Sequence, residues 1–504
     1  MLLIASLTSP SHNRGVQKEN ISFVSCKVDA CLKRLIVGNV NVIQAEERSS
    51  LSVWVTDEFG IKSPAIPGRV TSLEMKRIFI DHNASNKRHF VMLACKLSPS
   101  AMRPTFDEIL AAKERIFTGI NVTPCSPSPI FSSMFGCEIF NKMEYLQETG
   151  SFKERGARNA LMLLSDEQKR KGVVAASAGN HALALAYHGK LLGIPVRVVM
   201  PVIAPMVKQE RCRQFGAKVE LFGDNIAEAK QKADEYVVSE GMTYVHGFDG
   251  IDVIAGQGTL GLEILDQIPD VDAIVLPVGG GGLIAGLSLA VKTLKPHVQV
   301  IGVEPEYAAS YLAAVEAGHP VVVKMEETLG DGLAVPCVGV NAFELARQHV
   351  DKVVTVNEQD IALAILRLIE IEKGVVEGAG AAPVAALIAG KLPELKGKKV
   401  VLVLCGGNID PSVLGRVINY GLRCDWRLVR FRAEISDRPG GLERLTHAIA
   451  EMKASVKQIS HERTFGKPNF SKVSVNCVVE TRDHDHAEAL IKHLEDEGMP
   501  CELY

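Results

Sequence analysis

Between residues 173 and 303, short unbroken runs of Val, Ile and Leu alternate with longer stretches of helical periodicity. This alternation constrains the fold more than any other feature of the chain. Runs at 173–176, 195–200 and 218–221 read as strands, and helices are expected over 182–192, 206–215 (closed by Gly216) and 227–239. The pattern continues with a strand at 273–278, a helix at 283–294 and a strand at 298–303. Strands without polar alternation are buried on both faces. A parallel sheet with helical crossovers supplies that cover, so the expectation is an α/β fold.

The texture differs at both ends. Residues 1–100 show no sustained period. Short β-like runs at 51–55 and 90–93 lie among Ser, Asn, Arg and Lys, and the expectation is a poorly ordered extension. Arg14, Lys18, Lys27, Lys33 and Arg34 are basic, as in a transit peptide, but Glu19 and Asp29 intrude. Met1 to Ala5 is apolar without a basic region before it, a poor secretory signal. A helix at 106–116 opens the α/β region, and a strand at 399–405 closes it. From Asp425 the strands alternate polar with apolar, so one face is solvated. A strand at 427–435, a helix at 441–452, strands at 455–463 and 472–480, a helix at 486–497 and a strand at 501–504 form the split β-α-β unit of ferredoxin-like domains. The expected division is 1–100, 101–423 and 424–504.

Composition removes several classes of function. Lys plus Arg is 56 and Asp plus Glu is 59, a formal net charge of -3, so no positive field draws nucleic acid or an acidic membrane. No apolar run reaches the roughly 18 residues that a membrane span needs. The 11 cysteines include no C-x-x-C pair, and only Cys26 and Cys31 lie close together. That is neither a disulfide framework nor a zinc ribbon, and it points to a reducing compartment.

Four motifs carry chemistry. Gly279-Gly280-Gly281-Gly282 follows a buried strand and opens a helix, where bare backbone N–H groups and the helix dipole hold an anion. The run also satisfies a loose dinucleotide fingerprint, with Glu304 ending the next strand near the ribose-binding place, so an NAD reading stands beside it. It is not a Walker loop, since no Gly-Lys-Ser/Thr follows. Gly150-Ser151-Phe152-Lys153-Glu154-Arg155-Gly156 sets one lysine among small and aromatic neighbours. A desolvated lysine has a lowered pKa and condenses with carbonyl groups; the plainer alternative is a solvated surface charge. Ser177-Ala178-Gly179-Asn180-His181 follows the strand at 173–176 and opens a helix, a second anion site suited to a carboxylate. Cys405-Gly406-Gly407-Asn408 ends the strand at 399–404.

Together these motifs resemble the fold-type-II pyridoxal-phosphate enzymes, over about residues 103–420 and in the family's order and spacing. They are most similar to the serine/threonine dehydratases, in particular threonine ammonia-lyases of the degradative type. Gly256-Gln257-Gly258-Thr259, Gly302-Val303-Glu304, Leu329-Gly330-Asp331-Gly332 and Val376-Glu377-Gly378-Ala379-Gly380-Ala381 extend the likeness. The resemblance implies two open, twisted parallel-sheet subdomains and pyridoxal 5'-phosphate. It implies that Lys153 holds the cofactor and, once freed, takes the Cα proton. Phe152 packs on the pyridine ring, the Gly279–Gly282 amides hold the phosphate, and Asn180 bonds the ring hydroxyl. The loop of Ser177, Ala178, Gly179, Asn180 and His181 takes the substrate carboxylate. Cys405 stands where the residue facing the pyridine nitrogen is most often Ser or Thr; a thiol is too weak an acid to protonate that nitrogen, which favours direct β-elimination. The plainer alternative is that Cys405 is merely small and buried. In similar serine racemases the place of Ala178 holds a serine that acts as the opposite-face base, so the resemblance ranks dehydratase above racemase.

Cation-dependent relatives bind a metal at the place of Glu304 and the Ala308 carbonyl. The next ligand there, often Asp, matches Ser310, which lowers the negative charge that a hard cation prefers. The alternative for Glu304 is a solvated strand-end carboxylate. His181 is expected to serve the loop rather than a metal. The small domain, with Asp437-Arg438-Pro439-Gly440-Gly441-Leu442 between its first strand and helix, resembles an ACT-type regulatory module; a plain dimerisation domain is the alternative. The expected function is a threonine/serine ammonia-lyase acting on a small amino acid, with an amino-acid effector at the ACT-like domain. A homo-oligomer, dimer or tetramer, is expected, with no nucleic acid or membrane partner and a cytoplasmic location, a mitochondrial one remaining open. The competing readings are a serine racemase with dehydratase side activity, an inactive amino-acid sensor and an NAD oxidoreductase.

Overall fold

The computed structural model describes residues 103–462 and 471–504, and the backbone of five strands within residues 1–102. The chain divides into two units, Met1–Met102 and Arg103–Tyr504.

In the first unit, strands Leu2–Leu7, Asn20–Phe23, Val40–Asn41, Glu74–Arg77 and His89–Lys96 form one antiparallel sheet. Leu2–Leu7 pairs with His89–Lys96 from Leu2↔Ala94 to Leu7↔His89. These strands lie within the segment that the sequence suggests is a poorly ordered extension. The two longest apolar runs of the segment lie far apart in sequence and supply each other's ladder, which a local reading misses. The run at 51–55, Arg14, Lys18, Lys27, Lys33 and Arg34 lie outside the described residues.

The second unit opens with helix Phe106–Ile116. Thr105 and Glu108 close a reciprocal capping box at its start. Ile109, Ala112 and Ile116, spaced three and four apart, are its buried face, and Ile109 and Ala112 pack with Ala255, Leu262 and Ala290. Two sheets follow. The larger runs in the order Lys352–Val356, Gln299–Pro305, Ala273–Pro277, Lys399–Val403, Glu138–Lys142, Cys125–Pro127. All its pairs are parallel except the last. The smaller runs Lys218–Leu221, Val196–Met200, Val173–Ala176, Thr243–Tyr244, all parallel. Each has its own apolar core: Val275, Ile301, Leu402 and the helix Gly378–Ile388 in the larger lobe, and Val173, Ala175, Val198, Met200 and the helix Asn180–Leu192 in the smaller. The sheet edges escape sequence reading. Cys125–Pro127 and Thr243–Tyr244 span three and two residues and carry no apolar run.

The C-terminal sheet is antiparallel, in the order Ser455–Glu462, Lys472–Glu480, Leu428–Ser436, Cys501–Leu503, with helices Gly441–Glu451 and His484–Asp496. Phe431, Val475, Cys477, Leu445 and Leu490 form its separate core. The element order is β-α-β-β-α-β. Where the chain enters this sheet, Trp426 takes a positive φ of 57. Arg367 bridges Glu370 (2.9 Å) and Asp425 (2.6 Å), and Arg427 also reaches Glu370. These pairs are partly exposed, each worth about 0.5 kcal/mol, and fix orientation more than stability. Among the described residues no helix is long and apolar enough to cross a membrane.

Candidate active site

Lys153 is the first residue of helix Lys153–Met162. Its approach is tied to the larger sheet. Ser151 bridges Gly406, and the Phe152 N–H donates to the Cys405 carbonyl at 3.0 Å, just beyond strand Lys399–Val403. One turn in, Arg155 is buried against Glu144 (2.7 and 2.8 Å) and Glu263 (2.9 Å). Such a cluster returns little net stability but admits few geometries. The Lys153 Nζ donates to the Gly247 carbonyl at 2.6 Å. Burial lowers the amine to about 8, with the neighbouring Cys405 and Glu377 opposing. Lys153 is thus a half-buried, hydrogen-bonded lysine rather than an extended surface charge.

The glycine run connects strand Ala273–Pro277 to helix Gly282–Leu294, and Gly281 takes φ +87. A Cβ at Gly282 would lie 2.2 Å from the Phe248 carbonyl oxygen, and one at Gly280 2.2 Å from the Phe248 ring. At Gly280 and Gly282 the run packs so closely under the 246–249 loop that no side chain fits. Facing it, strand Val173–Ala176 passes through Ser177 to Gly179 into helix Asn180–Leu192, and the Gly179 N–H turns back to Ser177 Oγ at 3.3 Å. Between the two lies a cavity of about 670 Å3. Phe152, Lys153, Ser177, Ala178, Gly179, Asn180, His181, Gly279 to Gly282 and Cys405 all line it; Glu304 and Ala308 do not. A family model described as "Pyridoxal-phosphate dependent enzyme" matches residues 116–406.

The chain belongs to the pyridoxal-phosphate dependent enzymes. It is 43% identical over 399 residues to an L-threonine ammonia-lyase of Thermotoga maritima, covering 79% of this chain and 99% of that one. It is 42% identical over 315 residues to a catabolic L-threonine dehydratase of Escherichia coli K12, covering 62% of this chain and 96% of that one. Among solved structures, the processed threonine deaminase isoform 2 of Solanum lycopersicum matches with a TM-score of 0.59 at 35% identity, over 63% of this chain and 90% of that one. A serine racemase of Dictyostelium discoideum matches with a TM-score of 0.58 at 34% identity, over 61% and 99%.

The cavity fits the family's cofactor on its own terms. It has a bare-amide cradle at a helix N-terminus for a phosphate and a desolvated lysine amine for an aldehyde. Its volume lies in the usual range for a buried small molecule. Burial pushes the Cys405 thiol far up, so it stays a neutral, weak hydrogen-bonding group. His181 is pushed down to about 3 by burial, and its Nε2 lies 3.0 Å from the Val245 carbonyl, so the neutral ring donates there.

Glu304 is where sequence reasoning needs correction. It is fully buried, not solvated. Its two oxygens accept from the Tyr311 and Leu312 N–H groups, each at 2.8 Å, at the start of helix Ser310–Ala317, and burial raises it to about 7. The geometry gives Glu304 a helix-capping role. Ala308 is buried in the turn between them. Among the described residues no cluster of three or more His, Cys, Asp or Glu is placed to hold a metal.

Three contributors escaped the sequence reading. The Gly247 carbonyl holds Lys153. His246 Nδ1 accepts from the Phe248 and Asp249 N–H groups at 3.3 and 3.0 Å and so folds the loop that covers the glycine run; burial pushes the ring down to about 4. Glu377 lines the cavity, accepts from Asn180 Nδ2 at 2.7 Å, and is raised to about 7 by burial. Glu377 lay in a segment that extended the family likeness but was given no role, although it is a carboxylate standing alone in the apolar, small-residue run 375–382.

Proposed function

We propose that this protein is a pyridoxal-phosphate-dependent L-threonine/L-serine ammonia-lyase, releasing 2-oxobutanoate or pyruvate and ammonia. The observation that carries the reading is the buried Lys153 amine between the Gly279–Gly282 cradle and the Ser177–His181 loop, in a chain 42–43% identical to threonine ammonia-lyases and dehydratases.

The bound cofactor supplies an electron-withdrawing ring that stabilises negative charge developing at the substrate Cα. The chain does the rest. The Gly279–Gly282 amides would hold the phosphate and Phe152 would pack on the ring. Asn180 would donate to the ring hydroxyl, and Cys405 would offer a neutral thiol to the ring nitrogen. The Ser177–His181 backbone takes the substrate carboxylate. Lys153 Nζ would anchor the cofactor and, as a free amine, would take the substrate Cα proton. An amine lowered to about 8 is unprotonated in an appreciable fraction near neutral pH, as a base must be. The β-hydroxyl leaves with a proton as water, and the released enamine hydrolyses to the 2-oxo acid and ammonia.

Ala178 decides between this reaction and racemisation. Alanine has no group that can transfer a proton where similar serine racemases carry a serine, and a positioned acid or base contributes about 10²–10⁴-fold. Purified enzyme is expected to release pyruvate from L-serine, and 2-oxobutanoate from L-threonine, at least roughly 100-fold faster than it forms D-serine. Parallel assays of 2-oxo acid and D-serine check this. Comparable rates would mean that another group donates from that face; no 2-oxo acid from either substrate would leave the amino-acid-sensor reading.

For residues 424–504 we propose an ACT-like regulatory domain that pairs with its copy in a homodimer or tetramer. It binds an amino-acid carboxylate at the Asp437–Leu442 loop, where Gly440 has φ +94 and opens helix Gly441–Glu451. Branched-chain amino acids, serine and threonine are the first effectors to test. An effector acts only through unequal binding to two states. Truncation at about residue 424 is expected to abolish the response to one member of that panel; identical responses of truncated and full-length enzyme would leave the domain an assembly element only. A small amino acid as substrate and a cytoplasmic location complete the proposal.

A further inference from the structure

Asn408, the last residue of the fourth motif, was given no role by sequence, and neither was Arg211, in helix Met206–Gln214 of the smaller lobe. The two meet across the cleft: Arg211 Nη1 donates to Asn408 Oδ1 at 2.7 Å. Asn408 Nδ2 donates to the Thr149 carbonyl at 2.7 Å and to Asn180 Oδ1 at 2.9 Å. Asn180 Nδ2 then donates to Glu377 Oε1 at 2.7 Å. A side-chain amide has a donor end and an acceptor end, and a half-turn exchanges them. A guanidinium has donors only, so the end of Asn408 that faces Arg211 must be its oxygen. Both hydrogens of Asn408 Nδ2 then point at Thr149 and Asn180. The end of Asn180 that faces Asn408 must in turn be oxygen, and its Nδ2 must face Glu377. Glu377 takes one of the two Nδ2 hydrogens, and because Asn180 lines the cavity the second is left for a ligand.

We propose that Arg211 and Asn408 are positioning residues that set the direction of the Asn180 amide, so that an N–H, not a carbonyl oxygen, faces the cofactor's ring hydroxyl. The inference rests on the reading of Asn180 as the partner of that hydroxyl. The chain of bonds runs from the smaller lobe (Arg211) to the larger (Asn408), back to the smaller (Asn180) and to the larger again (Glu377). The donor is therefore oriented only while the two lobes are together. Reversal would place a carbonyl oxygen against an oxygen that becomes negative on ionising.

The test uses holoenzyme and reads the absorbance of the lysine-bound cofactor across pH, together with cofactor affinity, for N180A, N408D, R211M and R211K. Asp at 408 still accepts from Arg211 but offers Asn180 only acceptor oxygens, which turns its amide round. N180A and N408D are each expected to shift the absorbance titration and weaken cofactor binding about tenfold, R211M about threefold, as for loss of one hydrogen bond. R211K, which keeps a donor-only group, is expected to stay near wild type. N408D combined with N180A is expected to add little to N180A alone, because the two act through one bond. If N180A alters the titration while N408D and R211M leave it at the wild-type position, the positioning role is overturned and the reading of Asn180 stands. If N180A itself changes nothing, that reading fails and this inference falls with it.

Discussion

Lys153→Ala loses turnover by roughly 10⁴-fold or more, together with the absorbance of the lysine-bound cofactor, while the thermal unfolding midpoint stays near wild type. A general base alone accounts for about 10²–10⁴, and Lys153 is also the covalent anchor, so both contributions disappear with one side chain. Stability is spared because the amine makes a single polar contact, to the Gly247 carbonyl, in exchange for desolvating an ammonium group. The measurement is 2-oxo acid release beside an absorbance spectrum and a thermal melt of the same preparation. Substantial turnover without added amine would sink the assignment of Lys153.

Gly282→Ala is expected to disrupt the glycine cradle with a single methyl group. Its Cβ would stand 2.2 Å from the Phe248 carbonyl oxygen and 3.0 Å from the Phe248 carbonyl carbon, both backbone atoms. No side chain can swing away, so either the helix N-terminus or the 246–249 loop must move. That loop also carries Gly247, the partner of Lys153. Overpacking of this kind costs about 1–3 kcal/mol, and displaced amides no longer converge on a phosphate. Cofactor affinity should fall at least about 100-fold, equivalent to roughly 3 kcal/mol. Gly179→Ala is the contrast. It lies in the other loop, at φ -127, with nothing within 4 Å of a built Cβ, so it should keep the cofactor. Titration of the apo forms with the cofactor separates the two. Equal affinities would show that the cradle is not the phosphate site.

Much of the site was legible because its chemistry is local in sequence. An anion cradle is a strand end, a few glycines and a helix start, all within about ten residues, and each loop announces itself that way. The twelve residues read as cofactor or carboxylate contacts line one cavity. Glu304 was harder to read because a carboxylate at a strand end looks the same in sequence whether it meets water or, as here, the N–H groups of a helix that begins six residues later.

The sequence by itself determined the strand–helix alternation, hence parallel sheets buried on both faces, and the identity of the groups able to bind an anion or to act as a base. Those follow from side-chain type and near-neighbour spacing, which no distant contact can alter. Only the tertiary structure decided which sheet each strand joined and how the two lobes face each other across the cavity. It also decided which groups finish the site: the Gly247 carbonyl under Lys153, Glu377 against Asn180, and the Arg211–Asn408 contact 197 residues apart. A backbone carbonyl carries no signature in sequence, and a polar contact between lobes exists only once two separately formed cores have docked.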